Sequence, residues 1–420
     1  MLRPRTGIRS IIANGGIFGL VYGGEAALRG LYAVIIGIML GPGEYGAWSY
    51  AATVYATALV VTSFGIESLV EARSGRRLTG SDTFAAGSLA IRLATAIALF
   101  ICMVPVVWLL EQDARLQLAL LLVLPAILGR GIASWVRSLL TAREAPGVAF
   151  RVGVPMRLIE IVVGLTILSA GGGVISLLAL HALSWLAEAL IGWVAVRRLI
   201  PGFKPTFDRA VTRLIFLSGQ LMAVTVIGIA ALNALPILAA KWLGFSLDEI
   251  GNLGIVLQFS SLFVIAAQGF LAALFPAIGR AAQSGHPHLA RLAWLSCAGL
   301  VLAAILAAWI SALVGETIIV PLLGSGFREA AALLPISLLL AGVILAPIGA
   351  WQILVVHERF VAGALGSCAA LVLGIALLVP STDQFGIAGI LYAALAGWTL
   401  RAIILMIAVT RYERATQKPT

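Results

Sequence analysis

Charge is scarce in this sequence. Only 11% of its 420 residues are Asp, Glu, Lys or Arg, where a soluble globular chain carries about 25%. Cysteine is scarce too. Cys102, Cys297 and Cys368 all stand in apolar runs, and no CxxC occurs. That excludes a disulfide framework and a thiolate metal centre, and it predicts buried thiols. The four histidines show no ligand spacing. Walker A and HExxH patterns are missing, and no Ser/His/Asp set can be argued. Gly41, Gly43 and Gly46 match GxGxxG, but they join two apolar runs with no preceding strand, so the dinucleotide reading fails on context. No enzyme, metal site or resident cofactor is expected. Strand-like alternation is also absent, which argues against an outer-membrane barrel.

What fills the chain instead is apolar sequence. Hydrophobic residues make up 61%, and the mean hydropathy is +1.06. Runs of about 20 residues, the length that crosses hydrocarbon, recur from end to end. The reading is an all-α polytopic membrane protein of about 12 transmembrane helices, from a first span over 11–40 to a last over 386–409. The basic stretch Met1 to Ser10 precedes an apolar run reaching Leu40. That run is too long for a signal peptide core, so it is read as the first span.

The net charge of +10 would suggest nucleic acid in a soluble protein; here it reads as basic loops held on one side, with no nucleic-acid partner. One set of alternate connections holds 19 of the 28 Lys and Arg residues, and the other holds only Arg115, Lys241 and Arg328. This asymmetry predicts both termini in the cytoplasm. The basic connection from Arg197 to Arg213 contains Pro201, Gly202 and Pro205. It divides the chain into a six-helix lobe over 1–200, a cytoplasmic linker over 201–213 and a six-helix lobe over 214–420. Even numbers of spans make any repeat parallel, about an axis along the membrane normal, and two facing lobes enclose a central cavity suited to alternating access. Glu44 with Glu249 and Gly46 with Gly251 share one offset, as such a repeat would require.

Ionisable residues inside spans are costly, roughly 2.5–3.5 kcal/mol each on insertion scales, so they face a cavity or one another. Most crowd the first half: Glu25, Arg29, Glu67, Arg92, Arg130, Arg137, Arg157, Glu160 and Glu188; the second half has Arg401. Arg92, Arg130, Arg157 and Arg401 lie about 10–15 Å from the cytoplasmic ends of their spans at 1.5 Å per residue. As a group they would suit a phosphate-bearing cargo, since arginine binds phosphate oxygens in bidentate fashion. The competing reading is structural pairing. Glu25 and Arg29 are spaced i,i+4, and Arg157 and Glu160 i,i+3, while Arg137 and Glu67 lie near span ends and can reach water. His181, Trp185 and Glu188 share one helical face. With Glu160, His181 and Glu188 are candidates for ion coupling, to H+ or Na+. The second half offers amides instead: Gln220, Asn233, Gln258 and Gln268.

Several turns carry a resemblance. Leu40-Gly41-Pro42-Gly43-Glu44-Tyr45-Gly46 resembles the LGPxxYG turn after the first span of bacterial oligosaccharide flippases. These are polysaccharide biosynthesis proteins of the superfamily that also holds multidrug and toxin extrusion antiporters. Gly251-Asn252-Leu253-Gly254, Ala272-Ala273-Leu274-Phe275-Pro276, Leu322 to Phe327 and Phe385-Gly386-Ile387-Ala388-Gly389 follow in the family's order. The family often has an arginine where Met39 stands, so that arginine's role does not carry over. The resemblance implies a carrier in the bacterial cytoplasmic membrane that flips a polyprenyl-pyrophosphate-linked glycan by alternating access. Membrane lipids, and a glycan polymerase or glycosyltransferases, would be its partners. The alternatives are a cation-coupled small-molecule exporter and a non-transporting scaffold of a polysaccharide synthesis complex.

Overall fold

The structure is a computed structural model. It describes the backbone of residues 8–67, 69–70, 81–143, 145–283, 289–357 and 359–416. Among these no strand occurs, and eleven helical stretches are long and apolar enough to cross a membrane. The first of them, Ala27–Val61, is not one rod. Gly41 takes φ 75° and ψ 173°, a left-handed value that glycine adopts without a Cβ penalty. It breaks the helix into α1 (8–40) and α2 (42–61), with Pro42 at the first position of the second piece, where its missing N–H costs nothing. The chain is therefore a multi-pass membrane protein, with 11–12 helices among the described residues that could span a membrane.

The remaining elements follow the expected spans closely. They are α3 (Ser81–Leu110), α4 (Ala114–Val123), α5 (Pro125–Ala142), α6 (Pro146–Ser169), α7 (Val174–Leu199), α8 (Arg209–Ser218) and α9 (Gln220–Trp242). After them come α10 (Leu247–Gln283), α11 (Leu289–Leu323), α12 (Arg328–Leu345), α13 (Ile348–Val356), α14 (Phe360–Phe385) and α15 (Ile387–Thr416).

The packing is that of a protein whose solvent is lipid. On α11, Leu302, Leu306, Trp309 and Leu313 form an exposed apolar stripe, while Ala304, Ala308 and Ser311 are buried on the other face. Large residues point out and small ones in, because helices in hydrocarbon gain from close backbone approach rather than from hiding apolar area. A Cβ on Gly342 of α12 would lie 2.1 Å from that of Ala304. Cys102 and Cys368 follow the same logic. They are exposed rather than buried, since an apolar run in a membrane chain has two apolar destinations, the core and the lipid.

By their contacts the residues form two compact units: Met1–Tyr32 with Val61–Gly219, and Ala33–Val60 with Gln220–Thr420. The chain passes between units at 32–33, 60–61 and 219–220. The segment Ala33–Val60, however, groups with the second unit, whereas the sequence reading put it in a lobe over 1–200. Nor is 201–213 a free linker. Phe203 is buried against Trp135 and Trp193, with ring centroids 5.8 and 5.9 Å away. The Asp208 side chain caps α8 by accepting from Val211 N at 2.9 Å. Val211 and Ile215 of that short helix turn inward, and Arg209 and Arg213 are exposed.

In the second unit three of the five segments that carry the family resemblance meet. Asn252 Nδ2 donates to Gly326 O at 3.2 Å, and its Oδ1 accepts from Ala330 N at 3.0 Å. Tyr45 meets Phe327 edge-on at 6.5 Å, and Pro42 lies over Gly326. Ser246 and Glu249 bond reciprocally at the start of α10, a capping box. Turns far apart in sequence thus form one knot at the end of α2, α10 and α12.

Candidate functional site

The first unit holds a buried polar cluster on three helices. Each helix contributes residues at helical spacing: Arg130 and Arg137 from α5, Arg157 and Glu160 from α6, and His181, Ser184, Trp185 and Glu188 from α7. Trp185 is its centre. The guanidinium carbons of Arg157, Arg130 and Arg137 lie 3.9, 5.0 and 5.7 Å from the centre of its ring, within cation–π range. Arg157 is 1% exposed and pairs with Glu160 and, at 3.1 Å, with Glu188. It also donates to Ser184 Oγ at 2.8 Å. Arg137 pairs with the other oxygen of Glu188. It is mostly buried, not reaching water from a span end as the sequence reading had it.

The tautomer of His181 follows from its partners. Trp185 Nε1–H can only donate, and it reaches His181 Nε2 at 3.1 Å. Nε2 must therefore carry a lone pair. The proton sits on Nδ1, which donates to Glu160 Oε1 at 2.6 Å. Glu160 Oε2 accepts from Ser184 Oγ at 3.0 Å and from Arg157, and Tyr32 lies within electrostatic reach. His181 is held as a neutral imidazole between an acid and an indole.

Arg92 forms a second pair in this unit. It is 2% exposed and meets Glu67 at 3.0 Å, and Glu67 accepts from Ser63 Oγ at 2.5 Å. Arg92 Nε and Nη1 have no acceptor among the described residues. Arg130 is half-buried, as is Arg29 on α1. The side chain of Glu25 lies outside the described residues. Arg401 has its own surroundings. It belongs to the second unit, where its Nε donates to Ser367 Oγ at 3.2 Å and its guanidinium lies 5.4 Å from the Trp398 ring.

The second unit contains a cavity of about 350 Å³ among α2, α9 and α10. Its polar lining is Ser49, Thr53, Thr57, Asn233 and Gln258, and Tyr45 and Trp48 add aromatic faces. No charged side chain lines it among the described residues. Sequence reasoning had singled out the two amides but missed Ser49, Thr53 and Thr57. Their i,i+4 spacing on one helix was the available signal. It likewise missed Ser184, whose signal was its place between His181 and Glu188 on a single face.

No protein-family model matches the sequence, and no curated protein matches it significantly. Solved structures do match, and they define the class as the helical fold of membrane transporters with two six-helix lobes. One is a multidrug resistance MATE family transporter of the MOP superfamily in an inward-facing conformation. Its TM-score is 0.71 at 15% identity, over 94% of this chain and 96% of that one. An outward-facing structure from the same family gives 0.59 at 18% identity, over 96% of each chain. The eukaryotic MATE transporter AtDTX14 gives 0.66 at 14% identity, over 97% and 98%. At these identities the likeness establishes the fold.

Proposed function

We propose that this chain is a proton-coupled exporter of small molecules working by alternating access, with the Glu160–His181 pair as the coupling site. The observation that supports this most directly is the hydrogen bond from Trp185 into His181 Nε2. A proton added to Nε2 would set two N–H donors against each other, so the protonated state must release the indole. That indole carries the guanidinium groups of Arg130 and Arg137 from α5 and of Arg157 from α6, and these arginines in turn hold Glu160 and Glu188. Protonation therefore changes contacts among three helices. A coupling ion needs just such a difference in interaction between two arrangements. The fold shared with multidrug transporters solved in inward- and outward-facing forms supports the exporter class. The uncharged aromatic and amide-lined cavity suits a small amphipathic cargo.

A second reading, a flippase for polyprenyl-pyrophosphate-linked glycan, is favoured by a different observation. Three of the turns resembling that family close into one knot, and the cavity beside it offers hydroxyls, amides and Trp48 without carboxylates, the chemistry that binds neutral sugars. Considered by itself, the first unit has in Arg92 two buried nitrogens without an acceptor among the described residues, the donor chemistry a phosphate would need. This reading brings with it the bacterial cytoplasmic membrane, cytoplasmic termini, and glycosyltransferases or a polymerase as partners. Glu25, Arg29 and Arg401 keep only their sequence-based assignment as binding candidates.

The test is purified protein in liposomes under an imposed proton gradient, given either a panel of fluorescent amphipathic cations or a short-chain polyprenyl-pyrophosphate glycan. Gradient-driven cation movement that vanishes in His181→Phe supports the exporter. Glycolipid movement without cation movement replaces it with the flippase. Movement of neither, by protein that is folded and correctly inserted, favours the scaffold.

A further inference from the structure

The second unit carries a groove of about 860 Å³ that neither reading uses. It runs between α14 and the end of α15, which form a hairpin turned at Gly386, so the start of α14 lies beside the finish of α15. Its two ends differ in chemistry. One holds Arg359 and Arg411, both exposed, and Tyr412. Arg359 lies over the Tyr412 ring at 5.9 Å, and His357 stacks on the same ring at 4.5 Å, so the aromatic brace is fixed from two directions. The rest is apolar: Val361, Leu365, Ile404 and Ile407 line it, with Ala408 as a floor.

We infer that this groove is a binding site for an anionic phospholipid, its phosphate held by Arg359 and Arg411 and one acyl chain lying along Val361, Leu365, Ile404 and Ile407. Three observations converge on that occupant. Two guanidinium groups at one end demand an anion, and arginine matches phosphate oxygens geometrically. The same end is the N-terminus of the 26-residue α14, which has no side-chain cap; its free N–H groups and dipole add to the attraction for phosphate. In the apolar remainder Leu365, Val361 and Ile407 are exposed, leaving apolar surface open along the groove. A soluble phosphate would use the charged end only. A neutral lipid would use the apolar length but leave the paired charge unmet. An anionic lipid satisfies both, as basic pockets between membrane helices do for acidic headgroups.

The test is native mass spectrometry of the full-length protein in detergent, titrated with phosphatidylglycerol or phosphatidylcholine. Thermal unfolding is followed in parallel. The expected result is a phosphatidylglycerol adduct that raises the unfolding temperature and that phosphatidylcholine does not match. Arg359→Gln/Arg411→Gln should weaken it about tenfold or more, since two charge-assisted contacts are lost. Arg359→Lys/Arg411→Lys, which keeps the charge, should retain most of the binding and shows whether the glutamine pair is merely misfolded. Glycerol 3-phosphate, a headgroup without chains, should fail to displace the lipid. Equal adducts in the glutamine variant, equal binding of phosphatidylcholine, or full displacement by glycerol 3-phosphate would each overturn the proposal. None of these readouts depends on what the protein transports.

Discussion

Gly46 and Gly251 each sit on the backbone of the other's helix. A Cβ on Gly46 would lie 1.9 Å from Leu247 O, and one on Gly251 would lie 1.9 Å from Pro42 O. One offset of 205 residues relates Gly46 to Gly251 and Pro42 to Leu247, so the contact is its own mirror under a local two-fold. Gly43 faces Asp248 and Ser49 faces Gly254, again at the same offset. The register advances in the same direction on both helices, which makes α2 and α10 a parallel pair. A two-fold contact is self-complementary, each patch serving as both knob and hole. The repeat suggested by the two turns is therefore built into the second unit as a physical interface.

The symmetry makes a quantitative expectation. Gly46→Ala and Gly251→Ala should destabilise the protein by similar amounts, about 1–3 kcal/mol each, because a methyl group must force two backbones apart. Gly43→Ala should cost clearly less. There the added carbon would meet the Asp248 carboxylate at 3.1 Å, a side chain able to move. Thermal unfolding of the three purified variants measures the ranking. If Gly43→Ala proved as damaging as the other two, backbone contact would not be the cause.

The buried cluster yields a second ranking. Arg157→Ala removes a partner from both Glu160 and Glu188, two carboxylates about 95% buried. Arg137→Ala leaves Glu188 still paired with Arg157. Breaking a buried ion pair from one side costs about 3–5 kcal/mol. Arg157→Ala should fall at or above that range, and Arg137→Ala below it. The fraction of monodisperse protein after extraction, followed by chemical denaturation, reports the order.

How much of this was legible follows from what hydropathy encodes. Span positions were readable because length and apolarity are what the bilayer demands, and even the break at Gly41 was marked by Gly-Pro. Partners across helices were not. Arg137 and Glu67 looked like span-end charges able to reach water, yet both are bound to charges on other helices. Cys102 and Cys368 looked buried for want of any signal separating core from lipid. Periodicity assigns a face to a helix, but it does not say which helix that face meets.

The bond between Trp185 and His181 separates coupling from stability. Trp185→Phe keeps an aromatic face for the three arginines but removes the donor to Nε2. It should cost about 1.5–4 kcal/mol, a single hydrogen bond plus the cavity left by the smaller ring. Proton binding at His181 would no longer have to expel an indole, so gradient-driven transport should lose most of its dependence on the proton gradient while the fold persists. Flux at several imposed gradients, compared with the wild type, checks this. An unchanged gradient dependence would place coupling elsewhere.

The cavity of the second unit is tested by its amides. Asn233 and Gln258 project from α9 and α10 into a space otherwise lined by hydroxyls, aromatics and apolar groups. Gln258 Nε2 donates to Ser261 Oγ at 2.9 Å, so Gln258→Leu breaks one local bond as well as one cargo contact. Asn233 is exposed within its unit, so Asn233→Leu perturbs less. If the cavity binds cargo, both variants should raise the apparent KM several-fold, in line with about 1 kcal/mol per hydrogen bond. Asn233→Leu should do so with unfolding unchanged. A maximal rate lowered at constant KM would mean that these amides serve the conformational step rather than binding. A variant with wild-type kinetics would remove Asn233 from the site altogether.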